Sequence, residues 1–111
     1  MSAMQDAIIV KVTTPQDEAE HIADVLVRRR LAACVNIVPT VRSVYEWQGE
    51  VVQEDESLLI IKTEAALYDQ VESAVKEMHS YDTPEIIAIK IERGSPEYLQ
   101  WMSATLHVAK D

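Results

Sequence analysis

The chain has 111 residues, of which 48% are hydrophobic, so it is long enough for one domain with one packed core. Its formal net charge of −9 argues against a nucleic-acid backbone or an anionic membrane surface as partner. With one cysteine, Cys34, there is no intrachain disulfide; no leader-like stretch opens the chain and no apolar window is long enough to cross a bilayer, so a cytoplasmic location is expected.

In chain order, Ala7 to Thr13 is a β-branched run and reads as a strand buried on both faces. Thr14-Pro15 then suits the opening of a helix, with threonine as N-cap and proline at the first helical position. Ala19, Ile22, Ala23 and Leu26 recur at helical spacing and define its buried face. Asp24 and Arg28 form an i,i+4 pair, and Arg28, Arg29 and Arg30 match the negative end of the helix dipole.

A long hairpin follows, from Leu31 to Thr63. Ala33 to Trp47 and Glu50 to Thr63 read as strands, joined by a two-residue turn at Gln48-Gly49, where Gly49 supplies positive φ. Each arm reaches about 45 Å, far beyond the usual strand of about five or six residues. The rest of the chain is too short to cover such a ribbon, so a second copy of the same chain is the simplest partner. That turn places Trp47 opposite Glu50, Tyr45 opposite Val52 and Arg42 opposite Asp55. Pro39 cannot donate a ladder hydrogen bond and marks an edge or a bulge, which would shift the pairing nearer Cys34 by one residue.

Thr63 suits the N-cap of a second helix over about Glu64 to Met78, with Leu67, Val71, Ala74, Val75 and Met78 inward. His79 to Pro84 is a loop, and Glu85 to Ile91 is the last strand, with Ile86 to Ile89 as a buried run. A final helix runs from about Pro96 to Leu106, with Leu99, Met102 and Leu106 inward, and Lys110 and Asp111 are expected to fray. The order β-α-β-β-α-β plus a C-terminal helix is a ferredoxin-like α+β arrangement, a single domain over residues 1–111. One sheet face stays open in it, a second argument for self-association.

Strong chemical signatures are missing. Two glycines, Gly49 and Gly94, allow neither a phosphate loop nor a dinucleotide fingerprint, so no nucleotide cofactor is expected. One cysteine and three scattered histidines make no zinc pattern. Cys34 reads as a core thiol before it reads as a ligand. His79, at a helix C-terminus, is placed for a partly protonated capping or surface role before metal ligation. In Glu54-Asp55-Glu56 only the two glutamates share a strand face, so the run alone makes no tight carboxylate cage. The loop from Tyr81 to Glu85 can line a pocket between subunits or be an ordinary connection.

Leu31 to Thr63 (LAACVNIVPTVRSVYEWQGEVVQEDESLLIIKT), His79 to Ile89 (HSYDTPEIIAI) and Tyr98 to Trp101 (YLQW) closely resemble the CutA family of divalent-cation-tolerance proteins. The resemblance runs from the strand around Ile9 to the helix at Trp101. It implies a ferredoxin-like homotrimer whose long hairpins exchange contacts between subunits, with an architecture similar to PII-type signalling proteins. It implies tolerance of divalent metals, copper in particular, and no catalytic activity. A copper site attributed to the family uses a cysteine on the first strand and two adjacent histidines; here Val12 and Met78 occupy two of those positions and only His79 matches. The residues suspected of lining an inter-subunit cleft correspond to Trp47, Glu56, Lys62, His79, Tyr81, Thr83 and Glu85, with Trp47, Glu56 and Lys62 reaching a neighbour's loop. The resemblance leaves two rivals to metal binding: a PII-like scaffold acting through protein contacts, and an enzyme using Glu56, Lys62, His79 and Tyr81 for proton transfer.

Overall fold

The computed structural model describes residues 6–107. The ends of the chain, including Lys110 and Asp111, lie outside the described residues. Four strands, β1 (Ala7–Thr14), β2 (Cys34–Trp47), β3 (Glu50–Glu64) and β4 (Ile86–Lys90), form one antiparallel sheet in the order β2-β3-β1-β4. Helices α1 (Ala19–Arg28) and α2 (Tyr68–Met78) cover one face, and α3 (Pro96–Leu106) closes one end of the other. This is the ferredoxin-like α+β fold expected from the element order.

The main core lies between the sheet and the first two helices. Ile8, Val10 and Val12 of β1 and Leu59 and Ile61 of β3 pack against Ile22, Leu26, Val71 and Val75. Strand alternation sends the neighbours of these residues to the opposite face. There Ala7 meets Met102 and Leu106 of α3 in a smaller cluster. α1 buries the four residues that its periodicity marks, and Asp24 accepts from Arg28 at 2.7 Å. Its end is a Schellman turn: Arg30 takes φ 59°, Arg30 N–H donates to Val27 O at 3.0 Å, and Leu31 N–H donates to Leu26 O at 2.9 Å.

The hairpin arms are 14 and 15 residues long. Gln48 and Gly49 both have positive φ, 52° and 85°, as a two-residue turn matched to strand twist requires. The register places Trp47 opposite Glu50, Tyr45 opposite Val52 and Arg42 opposite Asp55. Between Val38 and Val41 it slips by one residue, at Pro39. The carbonyl that this bulge frees accepts from Ser57 Oγ at 2.7 Å and from Gln16 Nε2 at 3.1 Å, so no acceptor is lost.

Both helix starts differ from expectation for one reason: the strands run further than the local signals suggest. Thr14 is the last residue of β1, paired with Ser57, and its hydroxyl donates to Pro15 O at 2.8 Å. A 3₁₀ turn, Gln16–Glu18, then leads into α1 without a side-chain cap. Thr63 and Glu64 likewise stay in β3, paired with Ile8 and Ala7. The Thr63 hydroxyl donates to Leu31 O at 2.7 Å, and α2 begins only after a 3₁₀ turn at Ala65–Leu67. The last strand also differs. Ile87 and Ile89 are 51% and 50% exposed instead of buried, because they point to the sheet face that α1 and α2 leave open.

Two substitutions test this account. Leu59, fully buried on β3, is expected to cost about 2–5 kcal/mol on truncation to alanine. Gln48→Gly relieves a left-handed backbone and is expected to stabilise by up to about 1 kcal/mol. Urea melts of both variants check the two values, and a neutral Leu59→Ala would displace β3 from the core.

Candidate functional site

His79 caps the C-terminus of α2 and is buried, against the surface role expected for it. One ring nitrogen, Nε2, lies 2.7 Å from Thr13 O, which can only accept. The other, Nδ1, lies 3.1 Å from Tyr81 N–H, which can only donate. The two partners fix a neutral imidazole with its hydrogen on Nε2. The loop is thereby tied to the end of β1, and Ser80 N–H adds a bond to Glu18 Oε1 at 3.1 Å.

So anchored, Tyr81 reaches over the open sheet face to the hairpin. Its ring packs 4.8 Å from that of His79, and its hydroxyl lies 3.1 Å from Glu54 Oε1 and 3.2 Å from Glu56 Oε2. Tyr45 Oη donates to the same Glu54 oxygen at 2.9 Å, and Ser43 Oγ donates to Glu56 Oε1 at 2.6 Å. Glu56 is only 4% exposed. A phenol carries one hydrogen, so Tyr81 satisfies one carboxylate at a time. Burial, followed by the bond to Glu54 and the charge of Glu56, holds the Tyr81 pKa far above the ordinary tyrosine value. The bond to Glu54 raises that of Tyr45 too.

Between the hairpin and the loop lies a cleft of about 650 Å³, lined by Thr13, Ser43, Val44, Tyr45, Trp47, Glu54, Glu56, Tyr81, Asp82, Thr83 and Glu85. Lys11 bridges to Glu85 at 3.3 Å beside it. Five of the residues expected in a cleft (Trp47, Glu56, Tyr81, Thr83 and Glu85) therefore meet here. They meet within one chain: Trp47 and Glu56 line the same cleft as their own loop. Lys62 is not among them. It sits six positions from Glu56 along β3, about 20 Å away, with Nζ 3.3 Å from Tyr98 Oη and 5.5 Å above that ring.

His79 stands behind the cleft wall as the anchor of the loop. Val12 is fully buried on the helix side of the sheet and Met78 packs against the same core. Cys34 pairs with Lys62, at the far end of the sheet. Among the described residues no three His, Cys, Asp or Glu side chains gather as a metal ion would need. Sequence reasoning named Glu54 and Glu56 as sharing a face but passed over Ser43 and Tyr45 as their partners. The signal was present: with the Gln48-Gly49 turn, Ser43 and Tyr45 fall on the strand face that carries Glu54 and Glu56.

The family model for the CutA1 divalent ion tolerance protein matches residues 8–105. The chain belongs to the CutA1 divalent ion tolerance family. It is 48% identical over 95 residues to a divalent-cation tolerance protein CutA of Thermus thermophilus, covering 85% of this chain and 92% of that one. It is 48% identical over 97 residues to a chloroplastic CutA protein of Arabidopsis thaliana, of which it spans 53%. Among solved structures, CutA1 of Oryza sativa matches with a TM-score of 0.92 at 41% identity, covering 97% of this chain and all of that one. A CutA of Archaeoglobus fulgidus, described as periplasmic, matches at 0.88 and 41%, over 91% and 99% of the two chains. CutA1 membership accounts for the fold and for the long hairpin. Among the described residues no helix is long and apolar enough to cross a membrane.

The hydroxyl bridge has a pH signature. The folded chain keeps the Tyr81 proton beyond the pH at which the unfolded chain, near 10.0, releases it. Its stabilisation is therefore whole below about pH 10 and is lost as pH rises toward the folded value. Tyr81→Phe is expected to flatten the alkaline decline of the urea midpoint between about pH 9 and 11. Parallel declines in the two proteins would remove Tyr81 from the account.

Proposed function

We propose that this chain serves divalent-cation tolerance as a cytoplasmic homotrimer that takes cations at the hairpin–loop cleft. One observation carries the cleft reading: the carboxylates of Glu54 and Glu56 converge on a cleft in which, among the described residues, only hydroxyl groups bond to them. A neutral donor set leaves their charge for a cation to balance. Self-association rests on a different feature. Ile87 and Ile89 are half exposed on a sheet face that also carries Ile9, Leu58 and Ile60, and an apolar face of this kind calls for cover. A divalent metal suits the carboxylate oxygens. Copper at His79 would have to take Nδ1 from the Tyr81 amide, and so would pull on the loop. A PII-like scaffold role is the second reading; it draws on the exposure of Val44, Trp47 and Val51 at the hairpin tip.

Light scattering is expected to return three times the 12.5 kDa chain mass, and Ile87→Glu with Ile89→Glu to disperse the assembly. A wild-type monomer at micromolar concentration would end the oligomer reading. Calorimetric titration with Cu(II) and Zn(II) tests the cleft. Glu56→Gln is expected to weaken binding at least tenfold, the loss of one charged ligand contact. His79→Gln separates the two positions, since isotherms unchanged by it would exclude His79 as a ligand.

A further inference from the structure

The cleft is built for more than a bare ion. At about 650 Å³ it falls within the range of small-molecule sites, about 300–1,000 Å³. Trp47 is 61% exposed, and Tyr45 and Tyr81 are each 39% exposed, so aromatic surface is left uncovered on its lining.

The polar groups select the sign of a ligand. The Ser43, Tyr45 and Tyr81 hydroxyls are each turned toward a carboxylate. An incoming ligand therefore meets acceptors, and an anion finds few donors. The neighbouring cations already have partners: Lys11 bridges to Glu85 at the edge of the cleft, and Arg42 to Asp55 on the opposite face of the hairpin. Glu56, nine-tenths buried and aimed into the cleft, has no opposite charge beside it among the described residues. A buried carboxylate in that position calls for a cation.

The remaining choice is between a metal and an organic cation. A metal at this pair completes its shell with water and makes no use of the aromatic walls, since among the described residues no third His, Cys, Asp or Glu side chain gathers with the two carboxylates. Aromatic walls around a carboxylate pair suit an ammonium group, whose charge sits against π faces while its N–H groups donate to carboxylates. We infer that the hairpin–loop cleft binds a primary alkylammonium group, with the nitrogen at Glu54 and Glu56 and the methylenes against Trp47 and Tyr45. This inference rests on the cation-binding reading of the cleft and names the class of cation.

The test uses the full chain with Trp101→Phe, so that the fluorescence reports Trp47. n-Butylammonium is the probe, butyrate the anion of similar shape, and Zn(II) the metal. Saturable quenching by butylammonium is expected, weakened at least tenfold in Glu56→Gln and lost with the chain's other readout, calorimetry, in Trp47→Ala. Asp55→Asn, on the opposite face, is expected to leave it unchanged. Circular dichroism confirms that each variant folds, and Glu54→Gln replaces Glu56→Gln if the buried position does not tolerate amide. Tighter binding of an Nα-acetyl-lysine amide than of butylammonium would support the inference and assign the group to a protein lysine; the reverse order would support it with a free amine. Butyrate binding as well as butylammonium, or no saturable amine binding, would overturn it. Zinc bound at Glu56 without amine binding would overturn this inference alone, whereas loss of both would overturn the cation reading of the cleft as well.

Discussion

The site depends on a single extra residue in β2. Below Pro39, the odd-numbered residues Val35 and Ile37 face the helices, packed against the core. Above the slip between Val38 and Val41, the parity reverses. Ser43, Tyr45 and Trp47 then stand on the open face with Glu54 and Glu56, while Arg42 and Asp55 pair on the other side. A one-residue change of register moves every side chain of a strand to the opposite face. Without the bulge, Arg42 and Val44 would stand where Ser43 and Tyr45 now do, and the carboxylates would have a guanidinium beside them. Pro39 is thus a structural residue with a chemical consequence: it keeps a cation out of the cleft.

The second wall is fixed by a different device. α2 ends at Met78, and the chain must turn back across the sheet to start β4 at Ile86. A buried histidine makes that return rigid, because both its nitrogens are bonded to backbone groups, one on β1 and one on the loop itself. Tyr81 then spans from this anchor to the hairpin. Hairpin and loop are far apart in sequence, and the phenol hydroxyl is what holds their spacing. The cleft width is set by an aromatic ring of fixed size held at both ends.

Features that local chemistry determines were legible in the sequence. Gly49 demands a turn, which gives the distal hairpin register, and Pro39 marks an edge or a bulge, which the structure resolves as a one-residue slip. The buried face of α1 followed from periodicity alone. The helix starts were misread because capping threonines at positions 14 and 63 are also good strand residues. Pairing with β3 and β1 offers more hydrogen bonds than a cap does. The run from Ile86 to Ile89 was misread because apolar sequence says that a strand wants cover, not whether its own chain provides it. In the site, Glu54 and Glu56 were recognised as sharing a face, and the turn register already put Ser43 and Tyr45 beside them, but the Tyr81 hydroxyl arrives by a contact across the sheet. Lys62 lies on the same face of β3 as Glu56, yet distance along the strand excludes it from the cleft.

The cleft and the uncovered apolar face are two regions of one surface. Lys11 lies between Ile60 and Ile87 in register, and its ammonium bridges to Glu85 on the cleft lining. That pair is partly exposed in the single chain, with side chains 44% and 35% accessible, where water screens it and it contributes little. Covering the apolar face withdraws water from the lysine and strengthens the pair. Glu85 is then held more firmly on the cleft lining. In the oligomer proposed above, one lysine would thus tie the cover of the apolar face to the lining of the cleft, beside the two hairpin carboxylates that only hydroxyl groups bond among the described residues.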